Sequence, residues 1–181
     1  LLGARWNRWP LYWDKIETTP NNFNWTAYDK LVAEDIRHGF NIDMILLGRP
    51  SAYVDGGSIS NLNAPAFADG SDNPGAGKPP NPNNPWANFV YQAVQRYKPG
   101  GLLAGQQGWP AGVGVTVWEA WNEPDFGMFW NGGVEAYARL LKVTWLVAHS
   151  ADPNTRVMFG GLAYGDADKD DWLARVLEIY A

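Results

Sequence analysis

The sequence contains no cysteine, few charged residues and no long apolar segment, and each shortage excludes a class of protein. Without cysteine, the 181-residue chain has no disulfide framework, no thiolate metal site and no thiol nucleophile. Charged residues make up 18% of it, with 14 Lys and Arg against 19 Asp and Glu, so we expect no basic face and no nucleic-acid partner. No run approaches the ~18 apolar residues of a membrane span. The chain opens without an initiator methionine or a signal peptide, which predicts a processed protein or an excerpt.

Strand-like and helix-like segments alternate along the chain, which predicts an α/β fold with a parallel sheet. Apolar runs predict strands at 2–9, 42–47, 113–118 and 156–159. Apolar residues at helical spacing predict a helix that opens near 23 and further helices at 86–97, 134–148 and 172–180. The chain therefore contains about four βα units.

Residues 55–85 interrupt this alternation with a segment rich in Gly, Pro, Asn, Ser and Asp. Such a composition is typical either of a linker between two domains or of a long loop. The strand before the segment and the helix after it belong to one series, so we favour a long βα loop. Loops of this length are uncommon unless they serve function.

The clearest candidate for chemistry is the segment 117–125, VWEAWNEPD, which begins as a strand and ends as a loop. In parallel βα folds, functional groups collect at the carboxyl ends of the strands. An Asn-Glu pair among tryptophans suits the cleavage of sugars, because glycoside hydrolysis needs a carboxylic acid that protonates the leaving oxygen. The alternative is an ordinary strand end with a solvated Glu before a proline turn.

Tryptophan is abundant, with 11 residues, and its positions suggest two uses. Four tryptophans among apolar neighbours in strands or helices are predicted to lie in the core: Trp6, Trp118, Trp145 and Trp172. Four others lie at or beyond predicted strand ends, where an indole face can stack on a sugar: Trp9, Trp13, Trp121 and Trp130. Core packing remains the alternative for each of them.

The segment 118–124, WEAWNEP, resembles the fourth-strand motif of the clan-A retaining glycoside hydrolases, and is most similar to the branch of β-xylosidases and α-L-iduronidases. These enzymes are (β/α)8 barrels. The resemblance implies that Glu123 is the general acid/base and that Asn122 contacts the 2-hydroxyl of the sugar at the cleavage point. Arg8 matches an arginine that the clan places near its catalytic carboxylates, with Arg5 as a less favoured alternative.

The resemblance spans nearly the whole chain apart from 55–85, and implies that residues 1–181 are strands two to five of an incomplete TIM barrel and part of its catalytic domain. A full barrel usually needs ~250 residues. The nucleophile of the clan is a Glu at the end of the seventh strand, and no residue here matches it. We therefore expect the nucleophile, and the rest of the barrel, outside this chain, in the same or another polypeptide. Glu119, Asp125 and Asp14 are the local candidates for a second carboxylate, and we expect none of them to replace the missing Glu. Glu119 is expected to pair with an arginine in the interior, and Asp125 to lie at the top of a turn.

No metal or organic cofactor is implied, because two carboxyl groups suffice for this chemistry. The acidic residues Asp166, Asp168, Asp170 and Asp171 superficially resemble a calcium loop, but its glycine and its final glutamate are missing. The predicted function is retaining hydrolysis of O-glycosidic bonds in an oligo- or polysaccharide, with an extracellular or periplasmic location expected from the substrate class. A catalytically inactive carbohydrate-binding or assembly subunit is the alternative. A nucleotide-binding doubly wound domain is disfavoured, because no glycine-rich phosphate loop is present.

Overall fold

The computed structural model describes residues 3–164 and 171–180, which form a mixed α/β fold around a four-stranded parallel sheet. The elements in chain order are β1 (Trp6–Tyr12), α1 (Trp13–Ile16), α2 (Thr26–Arg37), β2 (Asn41–Leu47), a 3-10 turn (Ser51–Tyr53), β3 (Val54–Asp55), β4 (Ser58–Ile59), α3 (Pro85–Tyr97), α4 (Leu102–Gln107), β5 (Val117–Ala120), α5 (Gly133–Ala151), β6 (Arg156–Phe159) and α6 (Trp172–Glu178). Three of the acidic residues considered for calcium, Asp166, Asp168 and Asp170, lie outside the described residues.

The strands follow one another across the sheet in the order β1-β2-β5-β6, and every neighbouring pair is parallel. Helical crossovers join successive strands, and the order advances in one direction. A doubly wound sheet reverses its order at a switch point, where nucleotides bind. Because no reversal occurs among the described strands, the sheet has the topology of part of a TIM barrel, and the doubly wound alternative is wrong.

Local sequence signals explain where several elements begin and end. Helix α3 starts with Pro85 in its first turn, and the side chain of Asn84 accepts a hydrogen bond from the amide of Ala87 at 3.1 Å. Helix α2 ends at Arg37, after which Gly39 turns the chain with a φ of 79°. Strand β2 is mostly buried, as its apolar sequence predicted.

Two predicted strands are displaced in the structure. The first lies at Trp6–Tyr12 rather than 2–9, and the third at Val117–Ala120 rather than 113–118. The amide of Val115 donates a 2.7 Å hydrogen bond to the carbonyl of Tyr97, at the end of α3. This helix end therefore holds the chain before β5, and pairing with β2 begins only at Val117. The short helices α1 and α4 and the small hairpin β3–β4 were not predicted.

The core lies mainly between the sheet and the helices, and aromatic residues fill much of it. Trp118 and Trp172 are buried there, as predicted. Trp6 and Trp145 are instead 52% and 44% exposed, which corrects their assignment to the core. Trp6 borders an open cavity on the sheet, and Trp145 lies on α5 beside His149, with ring centroids 4.4 Å apart. Among the described residues, no helix combines the length and apolar character that crossing a bilayer requires.

The segment 55–85 is packed against helix α5 over much of its length. Arg139 of α5 donates hydrogen bonds to Asp72 at 2.5 Å and to the carbonyl of Ala64 at 2.6 Å. Farther along the helix, the hydroxyl of Ser150 donates to the carbonyl of Lys78 at 2.8 Å. These contacts begin near one end of α5 and continue to the other, so the segment covers the outside of the helix.

Candidate functional site

The candidate site lies just beyond the carboxyl ends of β5 and β6. After Ala120 the chain leaves the sheet through two residues with left-handed backbone, Trp121 at a φ of 72° and Glu123 at 46°. Positive φ is uncommon outside glycine and is held only where surrounding contacts favour it. Here the amide of Trp121 donates to the carbonyl of Leu46 at 3.1 Å, and the amide of Glu123 donates to the carbonyl of Gly161 at 2.8 Å. The left-handed backbone at these two residues turns the chain so that Asn122 and Glu123 lie at the strand-end rim.

Directly below this turn, Arg8 and Glu119 form a bidentate ion pair. Nε of Arg8 donates to one carboxylate oxygen of Glu119 at 2.7 Å, and Nη2 donates to the other at 2.8 Å. The side chain of Glu119 is only 3% exposed, whereas that of Arg8 is 45% exposed. The hydrogen bond to Glu119 is the main reason that the pKa of Arg8 is raised. The expectation that Glu119 pairs with an arginine is thus confirmed.

Glu119 also accepts a hydrogen bond from the amide of Gly161 at 2.6 Å. Its carboxylate therefore receives three donors, two from Arg8 and one from the backbone after β6. A carboxylate so held lacks the freedom and the exposure that a nucleophile needs. We infer that Glu119 organises the interior of the site and does not react.

Arg8 extends this network to Asn122. Its Nη2 donates to Oδ1 of Asn122 at 2.9 Å, which orients the amide group. The Nδ2 group of Asn122 makes no hydrogen bond to any described residue, so it remains available as a donor. Arg8 thus joins the first strand of the sheet to the turn after the third, and brings two of the predicted site residues together.

Glu123 is partly exposed beside this network. Its carboxylate makes no hydrogen bond or ion pair with any described residue, although its negative charge contributes to the raised pKa of Arg8. Asp43 of β2 lies on the other side of Arg8, with Oδ2 4.0 Å from Nε. Burial, and secondarily the charge of Glu119, raise the pKa of Asp43.

Asp125 holds the start of the loop after β6. It is only 4% exposed, and its two carboxylate oxygens each accept a 2.9 Å hydrogen bond, from the amides of Ala163 and Tyr164. Because both oxygens are engaged by backbone amides, Asp125 is a structural residue. Asp125 lies in a turn, as expected, but it is buried there.

Three of the four tryptophans proposed to stack on sugar are buried: Trp13 is 0% exposed, and Trp121 and Trp130 are each 2% exposed. The fourth, Trp9, is partly buried, and its Nε1 donates to Asp35 on α2 at 2.8 Å. Neighbouring ring centroids lie 5.6 Å apart for Trp13 and Trp86, 6.0 Å for Trp86 and Trp121, and 5.1 Å for Trp121 and Trp130. The three buried rings form an aromatic core beneath the rim, which argues against stacking on a sugar, although Trp121 borders a cavity at the rim. Strand-end position alone did not distinguish rings that turn inward from rings that face solvent.

The partly exposed rim residues around a nearby cavity were not singled out from the sequence. This cavity, of about 470 Å³, opens where β1, β2 and β5 end. Its lining includes Tyr12, which is 39% exposed, together with Phe129, Asp14, Arg49 and the mostly buried Trp121. Burial lowers the pKa of Arg49, which makes no ion pair with a described residue. Tyr12 ends β1 and Arg49 follows the end of β2 by two residues, so a position near a strand end was the sequence signal that would have identified them.

Within residues 3–164 and 171–180, no three His, Cys, Asp or Glu side chains come together in a way that could hold a metal ion. Arg8, Glu119, Asn122 and Glu123 form instead a site with two carboxylates, one guanidinium and one amide. Such a set can bind hydroxyl groups and transfer a proton.

Neither a protein-family model nor a curated protein matches the sequence significantly, whereas several solved structures resemble the fold. A glucosidase from Croceicoccus marinus aligns with 90% of this chain at a TM-score of 0.57 and 16% identity, over 29% of its own length. A family 39 glycoside hydrolase from Bacteroides cellulosilyticus WH2 aligns with 95% of the chain at 0.57 and 18% identity, over 29% of its length. A fungal β-1,4-galactanase aligns with 97% at 0.56 and 14% identity, over 48% of its length.

The chain therefore spans less than half of each of these structures. All three are described as glycosidases, and the likeness supports a fold of the kind that these glycosidases have. At these identities it establishes the fold, and the chemistry has to be argued from the residues.

Proposed function

We propose that this chain belongs to the catalytic unit of a retaining glycoside hydrolase that cleaves O-glycosidic bonds in an oligo- or polysaccharide. The observation that carries the proposal is the turn after β5, where Asn122 and Glu123 reach the strand-end rim above the Arg8–Glu119 ion pair. In α/β barrels this rim is where catalytic residues lie.

Glu123 is proposed as the general acid/base. Its side chain is partly exposed and carries no structural hydrogen bond to a described residue, so it is free to donate a proton to the leaving oxygen. In the second half of a retaining reaction the same carboxylate removes a proton from the attacking water. Glu119 and Asp125 are fully engaged as structural acceptors and cannot take its place.

The nucleophile is proposed to be a Glu outside these 181 residues. A retaining mechanism requires a second carboxyl group ~5 Å from the acid/base. Of the described carboxylates on this face, Glu119 receives three donors, and Asp43 pairs in register with Val117 at the start of β5, away from the strand ends. Asp14 lies at the rim, but its Oδ2 is 3.2 Å from the ammonium group of Lys15. We therefore assign the second reacting group to a part of the protein that completes the barrel.

Asn122 and Arg8 are proposed to bind the sugar at the cleavage point. The hydrogen bond from Arg8 fixes Oδ1 of Asn122, which leaves Nδ2 as the group that donates to a sugar hydroxyl. Arg8 keeps the Asn amide in one orientation and pairs with Glu119 beneath it. We assign Arg8 mainly to this orienting role.

The cavity at the ends of β1, β2 and β5 is proposed to hold a neighbouring sugar ring. The partly exposed ring of Tyr12 offers an aromatic surface for the C–H face of a pyranose, in place of the buried tryptophans. Asp14 and Arg49 supply an acceptor and a donor for hydroxyl groups on the same lining. Binding sites for sugars and other small molecules commonly combine a few polar groups with such apolar surface.

Replacement of Glu123 by Gln in the full-length protein tests the assignment. Gln keeps the shape but cannot donate a proton, so kcat on a natural oligosaccharide should fall by roughly 10²–10⁴-fold. An activated aryl glycoside needs less acid assistance, so its first, bond-breaking step should suffer less, and azide should accelerate the second step. Glu135→Gln, an exposed change at the start of α5, is the matched control.

Unchanged turnover of the natural substrate by Glu123→Gln would refute the role of Glu123. A full-length protein that binds oligosaccharides without hydrolysing any glycoside would instead support the carbohydrate-binding alternative.

A further inference from the structure

The hydroxyl group of Tyr137 lies between the ends of β5 and β6. It donates a hydrogen bond to the carbonyl of Ala120 at 2.9 Å and accepts one from the amide of Gly160 at 2.8 Å. Tyr137 extends from α5 and is 0% exposed, and burial strongly raises the pKa of its hydroxyl, which therefore keeps its proton. One side chain thus bridges two backbone groups at the ends of neighbouring strands.

Gly160 makes this close approach possible. A Cβ atom at this position would lie 2.9 Å from the carbonyl oxygens of both Ala120 and Trp121, and 3.1 Å from the hydroxyl of Tyr137. Distances this short to two backbone atoms cannot be relieved by a side-chain movement. The absence of a side chain therefore allows the end of β6 to sit directly against the end of β5.

Gly161, the next residue, connects this contact to the proposed acid/base. Its carbonyl accepts the amide of Glu123 at 2.8 Å, and its own amide donates to Glu119 at 2.6 Å. Glu123 has left-handed backbone at a φ of 46°, a conformation that a non-glycine residue keeps only when its surroundings hold it. The hydrogen bond from Glu123 to Gly161 supplies such a restraint, and Tyr137 fixes the segment that provides it.

We propose that Tyr137 is a positioning residue for Glu123: its hydroxyl fixes the Gly160–Gly161 segment, which in turn holds the backbone of Glu123 and directs its carboxylate to the leaving oxygen. The proposal rests on the proposed function. It assigns to α5, a helix on the outer layer, a role in the geometry of proton transfer. Tyr137 does not touch the substrate, so its effect on the reaction passes entirely through Glu123.

The test compares Tyr137→Phe with Tyr97→Phe in the full-length protein. Tyr97 is the matched control, because it is also 0% exposed and its hydroxyl makes a 3.0 Å hydrogen bond, to Asp29 on α2, away from the site. The substrates are a disaccharide and the 2,4-dinitrophenyl glycoside of the same sugar. Misplacement of a catalytic group by ~1 Å can cost ~10²-fold in rate, so we expect Tyr137→Phe to lower kcat on the disaccharide by about 10–100-fold with KM nearly unchanged.

The leaving group separates positioning from general destabilisation. Dinitrophenolate leaves with little acid assistance, so bond cleavage in the aryl glycoside should be slowed much less by Tyr137→Phe, as with Glu123→Gln. Tyr97→Phe should leave kcat unchanged on both substrates. An equal loss on both substrates, or equal losses in the two Tyr variants, would overturn the proposal.

Amide hydrogen exchange by NMR tests the contact without relying on activity. Tyr137→Phe should accelerate exchange at Gly160, Gly161 and Glu123 at least 10-fold more than Tyr97→Phe does. Faster exchange with unchanged kcat would overturn the positioning role, whereas the Glu123→Gln result decides the proposed function separately. If Tyr137→Phe does not fold, exchange in the parent protein decides: protection of Gly160 and Glu123 as strong as that of Met44 in β2 supports the contact, and rapid exchange refutes it.

Discussion

The Arg8–Glu119 ion pair should respond asymmetrically when one partner or the other is removed. Arg8→Met leaves Glu119, with a side chain only 3% exposed, as a buried carboxylate whose one remaining donor is the amide of Gly161. Glu119→Gln leaves Arg8, which is 45% exposed and still lies 4.0 Å from Asp43. Water and Asp43 can stabilise the orphaned guanidinium, but no comparable group compensates the orphaned carboxylate.

The magnitudes follow from this difference in exposure. Removing one partner of a buried ion pair costs about 3–5 kcal/mol when the other charge stays buried, so we expect Arg8→Met to fall in that range. For Glu119→Gln the surviving charge is half exposed, and the discount for solvent brings the expected loss to about 1–2 kcal/mol. Replacing both residues with apolar side chains should cost less than Arg8→Met alone, because the buried charge of Glu119 is removed as well, whereas Asp43 loses Arg8 in both variants.

Urea unfolding monitored by tryptophan fluorescence measures these losses in the free energy of unfolding. Equal m-values in the parent protein and the variants would confirm that unfolding exposes the same surface in each. Equal losses in the two single variants, or a larger loss in Glu119→Gln, would refute the reasoning.

Three further predictions concern other parts of the molecule. Hydrogen bonds from Lys78 and Ser71 lower the pKa of Asp69 to about 2, so the Lys78–Asp69 pair should stabilise the folded protein above the unfolded pKa of ~3.9, and this stabilisation should be lost as the pH falls through about 2. Lys78→Met should raise the pKa of Asp69 in an NMR titration, and an unchanged pKa would contradict the pairing. Thr144→Val should lower the free energy of unfolding in urea by about 1–3 kcal/mol, because it leaves the buried Nε1 of Trp86 without its 2.9 Å acceptor. A loss below about 0.5 kcal/mol, which is typical of surface substitutions, would argue against this hydrogen bond. Tyr12→Ala should weaken binding of an oligosaccharide to the full-length protein by about 10-fold in calorimetric titrations, with Tyr91→Ala on α3 as the control. Equal affinities in the two variants would show that Tyr12 does not contribute to sugar binding.

The sequence alone determined the order of the elements and the position of the candidate site along the chain. Apolar runs and helical spacing depend on local side-chain patterns, so they located β2, α3 and β6 to within one residue and α5 to within three. The strand-to-loop transition in 117–125 likewise placed Asn122 and Glu123 at a strand end, because parallel strands present their carboxyl ends to one rim.

Only the tertiary structure decided how those residues are held and which neighbours face the solvent. The same strand-end position describes buried Trp121 and partly exposed Tyr12, and their difference depends on which rings pack beside them. Tyr137 lies 14 residues beyond Glu123 in the sequence, and the hydrogen bonds that connect the two residues pass through Gly160 and Gly161, directly after β6. Contacts between residues so far apart arise from the arrangement of sheet and helices in space, and no local sequence pattern records them.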